Sequence, residues 1–369
     1  MTERPLRVLL EANHVGDAPR GVGIYARQLG LALASRPDIG ITWTSTQPLG
    51  AEQSFVRSPG MNPRRNEWPW MQWHVRKVIR EQDIDVFHST LITVPLRCAV
   101  PTVATVHDVT HRMLPRLQTH WNRRRADVMC LIATRADRII MPTYAAAEDF
   151  LRHFDYDRKR LRVVYEAGRS GQVPSPAEDV AAISARLKLD RPYFLCVGAG
   201  DHQKRAIDAV RAVGAMRARG HDVQLVLAGR PGGTRARTRT VAARLGLGPD
   251  DAVVLAGYVS DTELNALYSG AVALLYPSLY EGFGIPPLEA MACGTPVIAT
   301  AVPALREVLG EAATFVPFRD PRAIAEAAAA MLSAGGRREE FRGRGFERAR
   351  RYSWHTAAAE TNEIYRELV

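Results

Sequence analysis

The sequence predicts an α/β protein that consists of two doubly wound domains, each built on a parallel sheet. Short apolar runs, which are typical of buried parallel strands, alternate along the chain with segments of helical period. This alternation stops once, in a stretch rich in Gly, Ser and Pro, and then begins again. Of the 369 residues, 46% are hydrophobic, which suits two or three domains with cores of their own.

The first half of the chain contains four predicted strands and one helix that begins with glycines. The helix has the sequence GVGIYARQLGLALASR and covers residues 21–36. Because strands and helices alternate, we expect a parallel doubly wound sheet. The strands are LRVLLEA at 6–12, IDVFHS at 84–89, TVATVHD at 102–108 and ADRIIMP at 136–142.

The stretch EAGRSGQVPSPAED at 166–179 has the composition of a linker, and the alternation resumes after it. We predict a first domain over 1–168, a second over 169–350 and a closing helical segment over 351–369. The strands of the second domain are YFLCVGAG at 193–200, DVQLVLAG at 222–229, AVVLAGYV at 252–259, VALLYPS at 272–278, PVIAT at 296–300 and ATFVP at 313–317. Ligands of open α/β sheets bind at the carboxyl ends of the strands, so we expect functional residues just after them.

The chain is basic, with a formal net charge of +10 and a pI of about 9.7. The positive surface is either simply solvated or contacts an anionic membrane, a phosphorylated ligand or nucleic acid. The sequence has neither zinc-finger spacing nor a basic-aromatic ribonucleoprotein motif, so we expect no nucleic-acid partner. Nearly all cations are arginines, and the lysines are Lys77, Lys159, Lys188 and Lys204.

The cysteines and the N-terminus predict a cytoplasmic protein. The N-terminus MTERPLRVLLEANHVG lacks the basic region and long apolar core of a signal peptide, and no apolar run reaches the length of a membrane span. Peripheral contact with the inner face of the membrane stays open. Widely spaced cysteines in apolar contexts favour reduced thiols over disulfides or zinc ligands, and they are Cys98, Cys130, Cys196 and Cys293.

Two glutamates, Glu281 and Glu289, lie in the most informative stretch, YEGFGIPPLEAMACGTPV at 280–297. Its glycines let the backbone approach a ligand, and Pro286 and Pro287 suit the first turn of a helix. A helix N-terminus binds diphosphate, and carboxylates accept hydrogen bonds from sugar hydroxyls. Alternatively, the two glutamates merely complement the helix N-terminus. Strand, glycine loop, prolines and helix together favour a nucleotide-sugar site.

Four further residues are candidates for the site because of where they lie in the predicted pattern of strands and helices. Lys204 lies where a helix begins, a place that the helix dipole makes unfavourable for a cation, and this favours a functional role over a surface lysine. His107 ends a predicted strand, where a histidine satisfied by its neighbours is the alternative. Gly21 and Gly23 open the first helix, which is a weak motif on its own.

The stretch YPSLYEGFGIPPLEAMACGTPVIAT resembles the donor-site signature of the retaining glycosyltransferases of family 4, in which two glutamates are spaced E-x7-E. LVLAGRPGG, LAGYVSDTELNALYSGA and PALREVLGEAATFVPFRDP resemble its flanking blocks, GVGIYARQL its N-terminal glycine loop and PTVATVHD its histidine block. The resemblance covers most of the chain and is strongest to bacterial mannosyltransferase-like members. It implies the GT-B fold, two Rossmann-like doubly wound domains facing across a cleft, with a final helix that crosses back to the first domain.

The resemblance also implies a role for each residue that matches the motif. Glu281 would contact hydroxyls of the transferred sugar, Lys204 would neutralise the diphosphate, and His107 would lie beside the donor sugar. The arginine of the family's Arg-Lys pair is Gln203 here, and Arg205 follows as a candidate substitute. Glu289 would hold the ribose, and Tyr258 and Val259 would border the base. The donor-binding residues implied are Gly21, Gly23, Arg205, Tyr258, Val259, Gly282, Phe283, Gly284, Ile285 and Glu289.

Two patterns suggest metal binding, and neither carries the prediction of a metal site. His107 and His111 are four residues apart, but the first ends a strand, so the two need not share a face. Asp83 and Asp85 form an Asp-x-Asp just before a strand, where capping is the simpler interpretation. With no metal in the resembling family either, we expect neither metal nor cofactor, and a nucleotide sugar as co-substrate.

The predicted activity is transfer of a hexose from a nucleoside diphosphate sugar to a hydroxyl, with retention at the anomeric carbon. GDP-mannose is the first donor that the resemblance suggests, and UDP and dTDP sugars stay open. The acceptor stays open among a lipid-linked glycan, a polysaccharide and a secondary metabolite. The alternatives are a sugar-nucleotide epimerase of the same architecture and a non-catalytic nucleotide-sugar-binding protein.

A tryptophan-rich stretch, NPRRNEWPWMQWHVRK at 62–77, is a candidate acceptor surface in the first domain. Tryptophan stacks on sugars and lies at lipid interfaces, and neighbouring cations favour phosphates or anionic lipid. Equally, the tryptophans anchor a helix in the core. The residues concerned are Trp68, Trp70 and Trp73 with Arg64, Arg65, Arg76 and Lys77.

Overall fold

The computed structural model describes residues 4–15, 21–45, 55–57, 68–230, 232–248, 251–332 and 336–369, with the main chain alone for 55–57. The chain divides into two compact units. The N-terminal unit comprises Met1–Ala167 together with Tyr352–Val369, and the C-terminal unit comprises Gly168–Arg351.

The N-terminal unit is built on a parallel sheet of seven strands. These are β1 (Leu6–Glu11), β2 (Ile39–Ser45), β3 (Phe55–Arg57), β4 (Val86–Ser89), β5 (Thr102–Thr105), β6 (Arg138–Met141) and β7 (Leu161–Val163). Their order across the sheet is β3-β2-β1-β4-β5-β6-β7. The connections therefore reverse direction between β1 and β4, which is where open α/β sheets bind ligands.

Helices of this unit follow the strands in the doubly wound manner. They are α1 (Gly21–Ala34), α2 (Arg76–Glu81), α3 (Thr110–Met113), α4 (His120–Ala133) and α5 (Tyr144–His153), with a π-helical segment at Trp70–Val75 and 3-10 turns at Pro115–Leu117 and Arg158–Arg160. Threonine side chains cap two of the starts. Thr119 accepts a hydrogen bond from the Asn122 amide at α4, and Thr143 accepts one from the Ala146 amide at α5.

The C-terminal unit has six parallel strands in the order β10-β9-β8-β11-β12-β13. Their bounds are β8 (Tyr193–Val197), β9 (Gln224–Ala228), β10 (Val253–Gly257), β11 (Leu274–Tyr276), β12 (Val297–Thr300) and β13 (Ala313–Val316). The helices are α6 (Ala177–Leu187), α7 (Ala206–Arg217), α8 (Arg235–Arg244), α9 (Asp261–Gly270), α10 (Ile285–Ala292), α11 (Pro303–Leu309), α12 (Pro321–Leu332) and α13 (Arg337–Ala349), with a 3-10 turn at Gly310–Ala312. Here the connections reverse between β8 and β11.

The last helix, α14 (Trp354–Arg366), belongs to the N-terminal unit although the C-terminal unit precedes it in the chain. It packs against α1 and contributes Trp354 and Tyr365 to the core of that unit. The Tyr365 hydroxyl lies 2.5 Å from His88 Nδ1, and His88 Nε2 lies 2.8 Å from the Thr105 hydroxyl, which Tyr25 also reaches at 2.8 Å. A series of buried hydrogen bonds thus joins α14 to the sheet and to α1.

The doubly wound α/β class predicted from the sequence is confirmed, and every predicted strand is present. Three strands were not predicted: β2, β3 and β7. The sequence of β2, IGITWTS, alternates in polarity, and three of its residues are only partly buried. All three residues of β7 are partly buried as well. Strands near the sheet edges therefore lack the continuous apolar run by which the central strands were identified.

Candidate functional site

The carboxyl ends of β8 and β11 bring Lys204 and Glu281 together in the C-terminal unit. These strands are neighbours in the parallel sheet, so the turn before α7 and the loop after β11 leave the same edge. Lys204 Nζ donates to Glu281 Oε1 at 2.7 Å and to Oε2 at 2.9 Å, and also to the Tyr276 hydroxyl. The ammonium lies 4.8 Å from the centre of the Tyr276 ring.

The Lys204–Glu281 pair is largely withdrawn from water, with 15% and 8% of the two side chains exposed. Burial, followed by the charge of Glu281, raises the pKa of Tyr276 well above its usual value, so its hydroxyl stays protonated. The site therefore holds a cation, a carboxylate and a hydroxyl within hydrogen-bond reach of one another. A diphosphate suits the cation, and sugar hydroxyls suit the carboxylate.

The loop after β11 joins α10 at Gly284, a position where any residue with a side chain would be strained. Its φ is +107°, and a Cβ there would lie 2.5 Å from Leu305 Cδ2. Pro286 and Pro287 occupy the first turn of α10, as predicted, and Gly294 follows the helix in the left-handed conformation. The residues of the implied donor loop, Gly282, Phe283, Gly284 and Ile285, are buried.

Glu289 lies in the second turn of α10 and points into the interior. No part of it is exposed. Arg169 Nε donates to Glu289 Oε1 at 2.7 Å, Arg169 Nη2 donates to Oε2 at 3.1 Å, and the Tyr268 hydroxyl donates to Oε2 at 3.1 Å. Arg169 also pairs with Asp261. Burial alone would lower the pKa of Arg169, but the hydrogen bonds and charge of Glu289 raise it.

Arg205 and the residues beside the implied base site have partners of their own. Arg205 Nε and Nη2 donate to the two carboxylate oxygens of Asp208 at 2.7 and 2.8 Å, so its guanidinium is held at the first turn of α7. Tyr258 is 55% exposed and lies under the guanidinium of Arg230, 5.2 Å from the ring centre. Val259 is buried.

In the N-terminal unit, His107 follows β5 and is held from both sides of its ring. Nδ1 lies 2.8 Å from Glu166 Oε1, Nε2 lies 3.0 Å from the Thr90 carbonyl, and Tyr25 meets the ring edge-on at 4.7 Å. Burial would lower the pKa of His107, but the hydrogen bond and charge of Glu166 and the Thr90 carbonyl outweigh it, so the pKa is raised. Gly21 and Gly23 lie in the first turn of α1.

The sequence patterns that suggested metal ligands are occupied by other contacts. His111 Nε2 lies 3.1 Å from Asp127, away from the partners of His107. Asp85 accepts hydrogen bonds from Arg4 and from the Arg7 amide, and Asp83 pairs with the Arg7 side chain. Within the described residues, no three His, Cys, Asp or Glu side chains converge on one point.

The tryptophan-rich stretch splits between core and surface. Trp70 is completely buried, so its indole offers no surface to an acceptor and belongs to the packing of the N-terminal unit. Trp68 and Trp73 are 43% and 68% exposed. Arg64 and Arg65 lie outside the described residues. None of the helices in the described part of the chain is long and apolar enough to span a bilayer.

Sequence reasoning missed Glu166, Thr90 and Arg169, which hold the candidate residues in place. Glu166 and Arg169 lie in the stretch that composition identified as linker, where charged residues are usually solvated. The available signal was the presence of two charged residues at the very start of this Gly-, Ser- and Pro-rich break between the two predicted domains.

Both units match known families over most of their length. The model described as "Glycosyl transferases group 1" matches residues 180–348, and "Glycosyltransferase Family 4" matches residues 19–167. D-inositol 3-phosphate glycosyltransferase of Acidothermus cellulolyticus is 30% identical over 404 residues, covering 98% of this chain and 88% of its own. O-antigen chain mannosyltransferase B of Escherichia coli is 26% identical over 323 residues, covering 84% and 78%.

A solved structure shares the fold. The Anabaena protein HepE, in complex with UDP and glucose, has a TM-score of 0.79 over 98% of this chain and 100% of its own, at 15% identity. The predicted GT-B class is thereby confirmed. Taken together with the family models and the 30% identical relative, these findings show that the chain belongs to the glycosyltransferases of family 4.

Proposed function

We propose that this glycosyltransferase moves a hexose from a nucleoside diphosphate sugar to a hydroxyl and retains the anomeric configuration, without a metal ion. The observation that carries the proposal is the contact of Lys204 with Glu281 at the carboxyl ends of β8 and β11. It provides a cation for a diphosphate and a carboxylate for the sugar within 3 Å of each other.

In the proposed reaction, the bond between the anomeric carbon and the diphosphate oxygen breaks while the acceptor oxygen bonds to the same face. The acceptor proton passes to an oxygen of the departing phosphate. Lys204 and the amides at the start of α10 stabilise the charge that develops on the diphosphate, which is a preorganised electrostatic effect. Glu281 positions the sugar and supports the positive charge that grows on its ring.

Mannose from GDP-mannose is the first donor to test. The mannosyltransferase from Escherichia coli supports this choice by its name, and the UDP and glucose bound to HepE keep UDP-glucose as the second. The name of the Acidothermus relative gives an inositol phosphate as an acceptor. A phosphorylated alcohol fits the basic chain, and a lipid-linked glycan, a polysaccharide and a secondary metabolite are the other acceptors to test.

Thermal shift against a panel of nucleotide sugars tests the donor. A ligand at 100 times its Kd stabilises the folded state by about 2.7 kcal/mol, so the true donor raises Tm and its 2′-deoxy analogue raises it less. Incubation of that donor with candidate acceptors, followed by NMR of the product's anomeric proton, tests retention. A product of inverted configuration contradicts the mechanism, and donor turnover without acceptor favours an epimerase.

Chelation tests the absence of a metal requirement. We expect the rate with EDTA to equal the rate without it. A rate that falls with EDTA and recovers with Mn²⁺ or Mg²⁺ contradicts this part of the proposal.

We also propose a cytoplasmic protein that contacts anionic lipid at the inner membrane face through Trp68 and Trp73. Lys77 and Arg80 are exposed on the following helix α2, and each basic residue near a charged bilayer contributes about 1 kcal/mol. Trp73→Ala should weaken binding to vesicles that contain anionic lipid and leave binding to neutral vesicles unchanged. Trp121→Ala, at a tryptophan 76% exposed on α4, is the matched control. Equal vesicle binding by wild type and Trp73→Ala removes the membrane from the proposal.

A further inference from the structure

The chain passes from one unit to the other between Ala167 and Gly168, and a buried charge lies on each side of this point. Glu166 is 4% exposed and belongs to the N-terminal unit. Arg169, with 16% of its side chain exposed, belongs to the C-terminal unit. Each pairs within its own unit with a residue to which the family resemblance assigns a role: Glu166 with His107, and Arg169 with Glu289.

The partners of His107 fix its charge. Glu166 offers a carboxylate to Nδ1 and Thr90 offers a main-chain carbonyl to Nε2, and both groups accept hydrogen bonds. Both ring nitrogens must therefore carry a proton, which makes His107 an imidazolium with no nitrogen left to act as a base. A neutral imidazole would leave one acceptor facing a lone pair.

Other charged or titratable groups around His107 agree with that state. Asp108 is the next residue and adds negative charge, while Tyr25 packs edge-on against the ring through a hydroxyl bonded to Thr105. His88 stays neutral, because burial, and after it the charge of His107, lowers its pKa to about 3. The positive charge is thus concentrated on one ring at the end of β5.

Arg169 fixes the orientation of Glu289 in the same way. Its planar guanidinium donates to both carboxylate oxygens, and Tyr268 donates a third bond. The Arg169 main-chain amide adds a long bond of 3.5 Å to Oε1. A carboxylate accepts about four hydrogen bonds, so a ligand hydroxyl would take the position of this long, weak bond. Without the Arg169 side chain, Glu289 would be a buried charge that keeps only the Tyr268 phenol and the long bond from the Arg169 main-chain amide.

We propose that Glu166 and Arg169 are positioning residues for the transfer reaction, Glu166 by holding His107 as a cation and Arg169 by aiming Glu289 at the ribose of the donor. This inference rests on the proposed function for the identity of the ligand. On this proposal, the four-residue segment Glu166–Arg169 sets both the charge of His107 and the orientation of Glu289.

Glu166→Gln tests the first half. Glutamine keeps an acceptor for Nδ1 but removes the charge, so the pKa of His107 falls. If the imidazolium supports transfer, kcat/KM falls as pH rises through the pKa of His107, and this alkaline limb moves to lower pH in the variant. NMR titration of the His107 ring should move the same way. Glu148→Gln, which breaks an exposed pair with Arg158, is the control and should leave both curves unchanged. A ring titration that moves while the rate profile does not overturns this half.

Arg169→Met tests the second half with GDP and UDP and their 2′-deoxy analogues as probes. Partners that orient a ligating group are worth roughly 10–100-fold at metal sites, and we expect the variant to raise the Kd of the ribonucleotides by that order. The deoxy analogues should change much less, and Arg169→Lys should recover part of the loss. Arg191→Met removes an arginine of similar exposure, 19%, from an ion cluster elsewhere in the unit and is the control. Two results would overturn the proposed role of Arg169: unchanged or tighter binding of the ribonucleotides by Arg169→Met, or an equal loss of affinity for the ribonucleotides and their deoxy analogues.

These readouts separate the inference from the proposed function. Absence of turnover by the wild type with every donor and acceptor contradicts the proposed reaction, and the rate-based half of the inference falls with it. Nucleotide binding needs no turnover, so the Arg169 half stands or falls on the ratio of the two Kd values alone.

Discussion

At the scale of single residues, the proposed site is a balance between burial and charge pairing. Lys204 and Glu281 have both lost most of their water, and each is stabilised by the other. Removing one member of a buried pair leaves an uncompensated charge, a loss that usually exceeds the net contribution of the pair. A donor that draws Lys204 to its diphosphate must therefore give Glu281 new partners, and sugar hydroxyls are the partners that match.

Glu281→Gln should lower kcat by about 10²–10³ and change donor Kd little, because the lost charge acts where positive charge grows during reaction. Steady-state kinetics below the Tm of the variant, together with calorimetric donor binding, checks this. Glu311→Gln, at an exposed glutamate in the same unit, is the control. A kcat close to that of the wild type would show that Glu281 has no part in the chemistry.

His88 should make the N-terminal unit sensitive to acid. Burial lowers its folded pKa to about 3, below the ordinary histidine value, so the unfolded state binds a proton that the folded state refuses. The stability of the unit is therefore unaffected by His88 ionisation above the unfolded pKa, and it decreases as pH falls from there toward the folded pKa. Over that window the free energy of unfolding should fall by about 1.4 kcal/mol per pH unit.

Denaturant unfolding at several pH values, compared between wild type and His88→Gln, isolates this slope. The variant should be less stable at neutral pH and less sensitive to acid. His120→Gln, at an exposed histidine, should follow the wild type. Parallel curves for wild type and His88→Gln would show that His88 is not the acid-sensitive group.

At the scale of elements, the loop between β11 and α10 depends on one backbone conformation. Gly284→Ala introduces a Cβ at φ +107° and 2.5 Å from Leu305, and we expect a loss of about 2–4 kcal/mol in stability. Gly343→Ala is the matched control. It lies within α13 with no atom within 4 Å of the added Cβ, so it should stabilise by up to about 1 kcal/mol. Equal Tm values for the two variants would contradict the strain argument.

The π-helical segment at Trp70–Val75 should show the division of its tryptophans between core and surface. Trp70→Ala removes a fully buried indole and should cost about 3–5 kcal/mol. Trp73→Ala removes one that is 68% exposed and should cost little. Chemical denaturation of both variants checks this, and a Trp70→Ala variant as stable as Trp73→Ala would contradict the burial.

The elements also show what sequence alone can and cannot predict. The central strands and α10 follow from apolar runs and from Pro286 and Pro287, because those signals are local. The direction of Glu289 does not, since it depends on Arg169, 120 positions away. The same holds for His107, whose charge state depends on Glu166 and on a carbonyl of Thr90. Pairings between distant buried charges leave no period in the sequence.

At the scale of the whole molecule, the N-terminal unit is completed by the last helix of the chain. Trp354 and Tyr365 of α14 pack in its core, and Tyr365 closes the series of buried hydrogen bonds through His88. A chain ending at Arg351 should keep the C-terminal unit folded and lose the cooperative unfolding of the N-terminal one. Amide hydrogen exchange of the truncated and full chains checks this, with β8 and β11 as internal control. Full protection of β1 and β4 after truncation would show that α14 is dispensable.

The position of α14 also bears on the order in which the protein forms during translation. The ribosome delivers β1 to β7 first, yet their unit stays without α14 until that helix leaves the exit tunnel. The C-terminal unit, by contrast, is continuous in sequence and is fully synthesised before α14 emerges. The second half of the chain can thus reach its native state first, while the surface of α1 that α14 will cover stays open to solvent or to a chaperone.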